Sequence, residues 1–145
     1  AEDRAMGLVA GAGKAITKWG ALVIDGGQAR VVGPDALAKE HHHVVVQGTP
    51  RLVVGGRVEH LKEQIARRTA VCTDGKRLTL VVTDAIEFNA FARFLAAPLE
   101  SGGAGCTDAL NLDGGPSTQL VARAADLKLD EPGQPVPNAL ALIPR

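Results

Sequence analysis

Aromatic side chains are scarce in this sequence: three phenylalanines, one tryptophan and no tyrosine in 145 residues. Base-stacking nucleic-acid binders need several exposed aromatics, and here all the phenylalanines fall on one expected helix. A charge excess of one sign is also missing, because 16 Lys and Arg balance 16 Asp and Glu. That balance argues against collecting backbone phosphates without regard to sequence, so no nucleic-acid partner is expected. No apolar run approaches the ~18 residues that cross a bilayer, and no membrane span is expected. Serine is limited to Ser101 and Ser117, neither in a Gly-x-Ser-x-Gly elbow, which disfavours a serine triad. Cysteine is limited to Cys72 and Cys106, whose spacing makes no zinc site. They read either as two buried thiols or as one disulfide. The chain opens Ala1-Glu2-Asp3-Arg4, with neither an initiator Met nor a signal peptide, as a mature or trimmed product would.

What is present fits one soluble globular domain over residues 1–145, with 46% hydrophobic and 22% charged residues. Alanine, valine and leucine must build its core. Short β-prone runs are punctuated by glycine. Ala21–Asp25 and Ala29–Val32 flank Gly26-Gly27, Arg51–Val54 and Arg57–Glu59 flank Gly55-Gly56, and Thr69–Thr73 and Arg77–Val82 flank Asp74-Gly75. These are three hairpin signals. His42–Gln47, Asp108–Leu112 and Ala139–Ile143 read as further strands, Pro34-Asp35 as a turn or short helix, and Asp126–Asn138 as a surface loop. One helix is expected from Asp84, with Glu87 completing a capping box. Phe91, Phe94 and Leu95 would lie on its buried face, and Pro98 would end it. Leu61–Arg67 reads as a weaker helix or a loop. The sum is an α+β fold, a mixed but mostly antiparallel sheet of hairpins with one or two packed helices.

Several motifs fall short. Gly7–Ala15 lacks the first glycine and the hydroxyl of a phosphate loop, and Ile16 stands where a dinucleotide fingerprint needs its third glycine. His41 and His43 would share one face of a strand and are the only candidate metal ligands, but no nearby carboxylate or cysteine completes a set. No cofactor is expected.

The segment Asn111-Leu112-Asp113-Gly114-Gly115-Pro116-Ser117-Thr118 carries more chemistry. In a strand Asn111 and Asp113 point to one face while Leu112 points to the other. Gly114-Gly115 permits close backbone approach and exposes amide donors, and Ser117 and Thr118 add hydroxyls. One carboxylate ringed by small donors suits a sugar or an anion. The same residues also suit an Asx-type turn in which Asp113 only caps the glycine backbone.

This segment resembles the signature of the phosphodiester glycosidase family. Three other stretches are similar in order: Gln47-Gly48-Thr49-Pro50-Arg51-Leu52-Val53, Arg67-Arg68-Thr69-Ala70-Val71 and Val136-Pro137-Asn138-Ala139-Leu140. The similarity runs from about Met6 to the end. Two features depart from the family pattern. An Asn-Gly-Gly-Phe-Phe-like segment that usually precedes the matching part is absent, and Cys72 stands where a small residue is usual. A missing N-terminal segment is therefore expected.

The resemblance implies hydrolysis of a sugar-1-phosphodiester, or action on a cell-surface polysaccharide that carries one. It implies catalytic roles for Asp113 and Arg68, Arg68 offering a planar fork to phosphate oxygens. Arg67, its neighbour, would point to the opposite side of the strand. Thr69, Asn111, Gly114, Gly115, Ser117, Thr118 and Gln47 would bind substrate, with Asn111 orienting Asp113 or a sugar hydroxyl. If the strands carrying Arg68 and Asn111 are neighbours, Cys72 and Cys106 meet, and a disulfide suits the exported setting of relatives. Two other readings compete: a carbohydrate- or cell-wall-binding module without turnover, and a metal-dependent phosphodiesterase using His41, His43 and Asp113. A companion N-terminal segment or a homo-oligomer would be the protein partner.

Overall fold

A computed structural model describes residues 18–39, 42, 44–136 and 139–143. Two sheets stack face to face, and a helix covers the outer side of each. The first sheet holds β1 (Gly20–Asp25), β2 (Gln28–Val32) and β3 (Val44–Gly48) in the order β2-β1-β3. Gly26 and Gly27 join β1 to β2 at φ values of 55° and 81°, which only glycine adopts at low cost. The six-residue α1 (Pro34–Lys39) packs Leu37 against Ala21, Val23 and Val32 on the outer side of this sheet.

The second sheet holds β4 (Arg51–Val54), β5 (Arg57–Val58), β6 (Ile65–Thr73), β7 (Leu78–Glu87) and β8 (Asp108–Asn111) in the order β5-β4-β8-β6-β7. Every pairing among the described residues is antiparallel, and with two helices packed on the sheets the fold is α+β. Strand alternation sorts the core. Val71 and Leu110 turn toward Leu22 and Val31 of the first sheet. Ala70, Cys72 and Ala109 turn the other way, toward α2 (Phe88–Ala96). Phe91, Ala92 and Leu95 of that helix are fully buried, and each large apolar side chain so buried contributes about 1.5–3 kcal/mol. Cys72 and Cys106 are joined in a disulfide between β6 and the segment that enters β8, with 5.7 Å between their Cα atoms.

Several expectations change. The helix begins at Phe88 rather than after Asp84, because Ile86 and Glu87 pair with Ala66 and Ile65 and stay in the ladder. Glu87 itself is the cap, accepting the backbone N–H groups of Asn89 and Ala90 at 2.9 Å each. The buried face then falls on Phe88, Phe91, Ala92 and Leu95, and Phe94 is exposed. Residues 61–64 are irregular and the strand starts at Ile65. The expected loop after residue 126 is instead half of a hairpin, β9 (Leu120–Ala124) with β10 (Leu127–Glu131). Residues 139–143 form no strand.

The two sheets meet at a glycine seam. Gly20 and Gly48 are partners across β1 and β3. A Cβ on Gly48 would stand 2.3 Å from the Asn111 carbonyl oxygen, and one on Gly20 would stand 2.7 Å from Cγ of Arg51. Glycine at both positions lets the first sheet close directly onto β8 and β4. The chain then turns through Thr49-Pro50, a cis peptide, into β4.

Candidate active site

Asn111 is the last residue of β8 and sits at the convergence of three segments. It pairs with Ala70 of β6, and its backbone N–H donates to Pro50 O at 3.0 Å. Its side-chain amide donates to Thr49 O at 2.9 Å and to Leu112 O at 2.7 Å. The residue is buried, and its Oδ1 has no hydrogen-bond partner among the described residues. A buried acceptor of this kind is costly when unpaired, so it is a position where a ligand group or water gains by binding.

One further bond, Leu112 N–H to Thr69 O at 2.9 Å, carries the β8–β6 contact past the strand end. The chain then peels away. Asp113 is exposed, and its Oδ1 accepts the adjacent Gly114 N–H at 2.9 Å, one residue short of the Gly115 N–H that an Asx turn would use. The other carboxylate oxygen has no bond to a described residue. Gly114 is pressed onto β6: a Cβ there would stand 2.9 Å from Arg67 O and 3.7 Å from Cα of Arg68. Gly115 takes a φ of 59° and opens a short 3-10 turn over Gly115–Ser117.

Thr118 ends the turn fully buried, and its hydroxyl shares a 3.3 Å hydrogen bond with that of Thr69. The C-terminal side of the chain closes over this turn. Gln134 N–H donates to Pro116 O at 2.8 Å, and Gln119 Nε2 donates to Gln134 O at 2.9 Å. Ser117 is half-buried and Gly114 and Gly115 are partly accessible. Asn111, Asp113, Gly114, Gly115, Ser117, Thr118 and Thr69 are therefore gathered in one place. Gln47 is buried in β3 opposite Ala21, next to the Gly48 that packs on the Asn111 backbone.

Arg68 lies beside this place, two residues before the Ala70 that pairs with Asn111, and its guanidinium is turned onto Phe88. The register shifts between Ala66 and Arg68, and the Arg68 side chain lies on the α2 side with Ala70 and Cys72. Its guanidinium carbon sits 3.4 Å from the centroid of the Phe88 ring, and Nη2 donates to Gln64 O at 2.6 Å. The residue is 5% exposed, and Nε has no partner among the described residues. Burial lowers its pKa, with the charge of Glu87 partly opposing the shift. No ion pair joins Arg68 to Asp113. Arg67 takes the other side: Nη1 donates to Pro132 O at 3.4 Å and Nη2 lies 4.0 Å from a carboxylate oxygen of Glu131. Pro132 leads into Gly133, where a Cβ would stand 2.7 Å from Thr118 O. Of the two adjacent arginines, the accessible one thus borders the turn.

His41 and His43 lie outside the described residues. His42 is described, with Nδ1 2.6 Å from an oxygen of Asp25. Asp25 is at the opposite end of β1 from the seam, five residues or roughly 17 Å away along the strand. Among the described residues no group of three or more His, Cys, Asp and Glu is arranged to hold a metal ion.

A family model for phosphodiester glycosidases matches residues 4–143. No match was found among curated proteins or among solved structures.

Proposed function

The chain belongs to the phosphodiester glycosidase family, and on that basis we propose that it hydrolyses the bond between an anomeric carbon and a phosphodiester oxygen. The observation that carries this reading is Asp113, a carboxylate held in solvent at a glycine turn. One of its oxygens is fixed by Gly114 N–H and the other is open. Beside it stand the hydroxyl of Ser117 and the accessible backbone of Gly114 and Gly115. Behind it, the buried acceptor of Asn111 awaits a donor such as a sugar hydroxyl.

The reaction takes a sugar-1-phosphodiester and water to a free sugar and a phosphomonoester. The anomeric C–O bond breaks, its electron pair leaves with the phosphate oxygen, and an oxygen derived from water bonds to the carbon. Because phosphate departs readily, the main demand is to stabilise the cationic sugar centre. Asp113 meets that demand as electrostatic partner, as nucleophile or as base toward water; each role needs the same exposed carboxylate. Arg68, stacked on Phe88, is read as a positioning residue. It fixes the strand against which Gly114 packs, and its unpaired Nε faces no competing partner.

The disulfide suits an oxidising, exported setting, and no helix among the described residues is long and apolar enough to cross a membrane.

The test is hydrolysis of a sugar-1-phosphodiester in heavy-oxygen water. Label in the sugar marks C–O cleavage and supports the proposal. Label in the phosphate marks a phosphodiesterase, and binding without any turnover marks a carbohydrate-binding module.

A further inference from the structure

The glycine seam leaves a second feature that the Asp113 turn does not use. Arg51 opens β4 directly after the Thr49-Pro50 corner, and its stem runs under Gly20. A Cβ on Gly20 would stand 2.7 Å from Cγ and 3.1 Å from Cδ of Arg51. Its head lies over a second glycine, with a Cβ on Gly33 reaching Cζ and Nη1 at 3.4 Å. Gly20 in β1 and Gly33 between β2 and α1 thus leave the space in which one arginine lies. The half-buried guanidinium has no hydrogen bond or ion pair to any described residue, although it carries five N–H donors.

It lines a cleft of about 290 Å³ whose walls also include Lys18, Pro34, Pro50, Glu59 and His60. Glu59 is the only carboxylate among the lining residues, and it lies beyond ion-pair distance of Arg51. Lys18 and His60 add an ammonium and an imidazole to the walls. A planar fork with open donors, next to these two groups, fits the oxygens of a tetrahedral anion. Thr49, which lines the same cleft, is also the residue whose carbonyl holds the Asn111 side chain. The cleft and the Asn111 side chain therefore meet at Thr49.

We propose that the Arg51 cleft is a phosphate subsite, holding the phosphate of the substrate while the sugar lies over the turn beyond Asn111. This rests on the hydrolase reading above. It moves phosphate recognition from the family-like Arg68, which is buried against Phe88, to an arginine whose donors are open.

The test has a binding arm and a kinetic arm on the full chain. In the first, inorganic phosphate is titrated against wild type, Arg51→Gln, Arg51→Lys and Arg123→Gln, the last a surface arginine of β9. Phosphate is expected to bind wild type and Arg123→Gln alike. Arg51→Gln should weaken it at least tenfold. Arg51→Lys, which keeps the charge but not the planar fork, should weaken it about threefold. Thermal melts show whether each variant is folded, and Arg51→Lys carries the test if Arg51→Gln is not. Phosphate affinity equal in wild type and in the folded Arg51 variants overturns the subsite, as does an equal loss in Arg123→Gln.

In the second arm, Arg51→Gln should lower kcat/KM for a sugar-1-phosphodiester at least tenfold, because the phosphate it holds is the leaving group. An unchanged kcat/KM in Arg51→Gln rejects the subsite and leaves the hydrolase reading standing. Arg51-dependent phosphate binding with no turnover in wild type rejects the hydrolase reading instead, and supports an anion site in this cleft.

Discussion

The side chain of Asn111 holds the backbone of Thr49, amide to carbonyl at 2.9 Å. It thereby ties the end of a central strand to the corner where the chain passes from one sheet to the other. Asn111→Ala removes that tie and a second one to Leu112, two part-buried hydrogen bonds worth about 0.5–1.5 kcal/mol each. Asn111→Asp is expected to be worse, since it turns a carboxylate toward two carbonyl oxygens. Denaturant titration checks the order wild type, alanine variant, aspartate variant, from most to least stable.

Asp113→Asn is expected to leave stability within about 0.5 kcal/mol, as usual for exposed positions. It should lower turnover on a sugar-1-phosphodiester by about 10²-fold or more. Unchanged turnover in this variant would remove Asp113 from the chemistry.

Arg68→Ala should behave differently. It loses the stacking on Phe88 and a charged bond to Gln64 O, together about 2–3 kcal/mol. Arg68→Lys keeps the charge but not the planar contact and should recover only part. A melt in which Arg68→Ala matches wild type would contradict the buried placement of this side chain.

Glu87 holds two backbone N–H groups of α2, and its pKa is lowered, first by the Asn89 N–H, against an opposing effect of desolvation. A carboxylate lowered on folding contributes stability that is fully present above its unfolded value of about 4.3. That contribution fades as pH falls through the lower folded value. Asp74 behaves in the same direction, held down first by the N–H of Arg77 and then by that of Lys76. Glu87→Gln should therefore flatten the acid limb of stability against pH below about 4.3 and reduce stability at neutral pH. Thermal midpoints between pH 3 and 7 provide the check.

The bridge between Cys72 and Cys106 spans 34 residues, and a loop of that length predicts about 3–4 kcal/mol of stabilisation. Replacing both cysteines by alanine should lower the denaturation midpoint accordingly. Thiol counting on denatured, unreduced protein should find no reactive thiol.

The sequence makes the hairpins legible where glycine marks the turn, at Gly26-Gly27, Gly55-Gly56 and Asp74-Gly75, because turn chemistry is local. The β9–β10 hairpin carries no such mark: Ala125 occupies a φ of 46° that favours glycine or asparagine. The Asp84 capping box is also a local signal, and pairing of the following residues with β6 overrides it. The residues of the Asp113 turn are readable from their chemistry, but their meeting with Thr49 and Thr69 depends on strand order. The direction of Arg68 depends on a register shift beside Ala66, which neither residue type nor spacing reveals. Arg51 gives no sequence signal at all, because its slot is made by Gly20 and Gly33 from separate elements.

The glycines divide into two kinds, and the difference guides engineering. At Gly26 and Gly27 an added Cβ meets nothing within 4 Å and only the positive φ resists a side chain, so a longer loop carrying an affinity tag or a grafted peptide fits this hairpin tip better than a substitution does. Between Gly48 and Arg51 the reverse holds: one inserted residue would slip the first sheet out of step with β8, and the clasp on Asn111 would open.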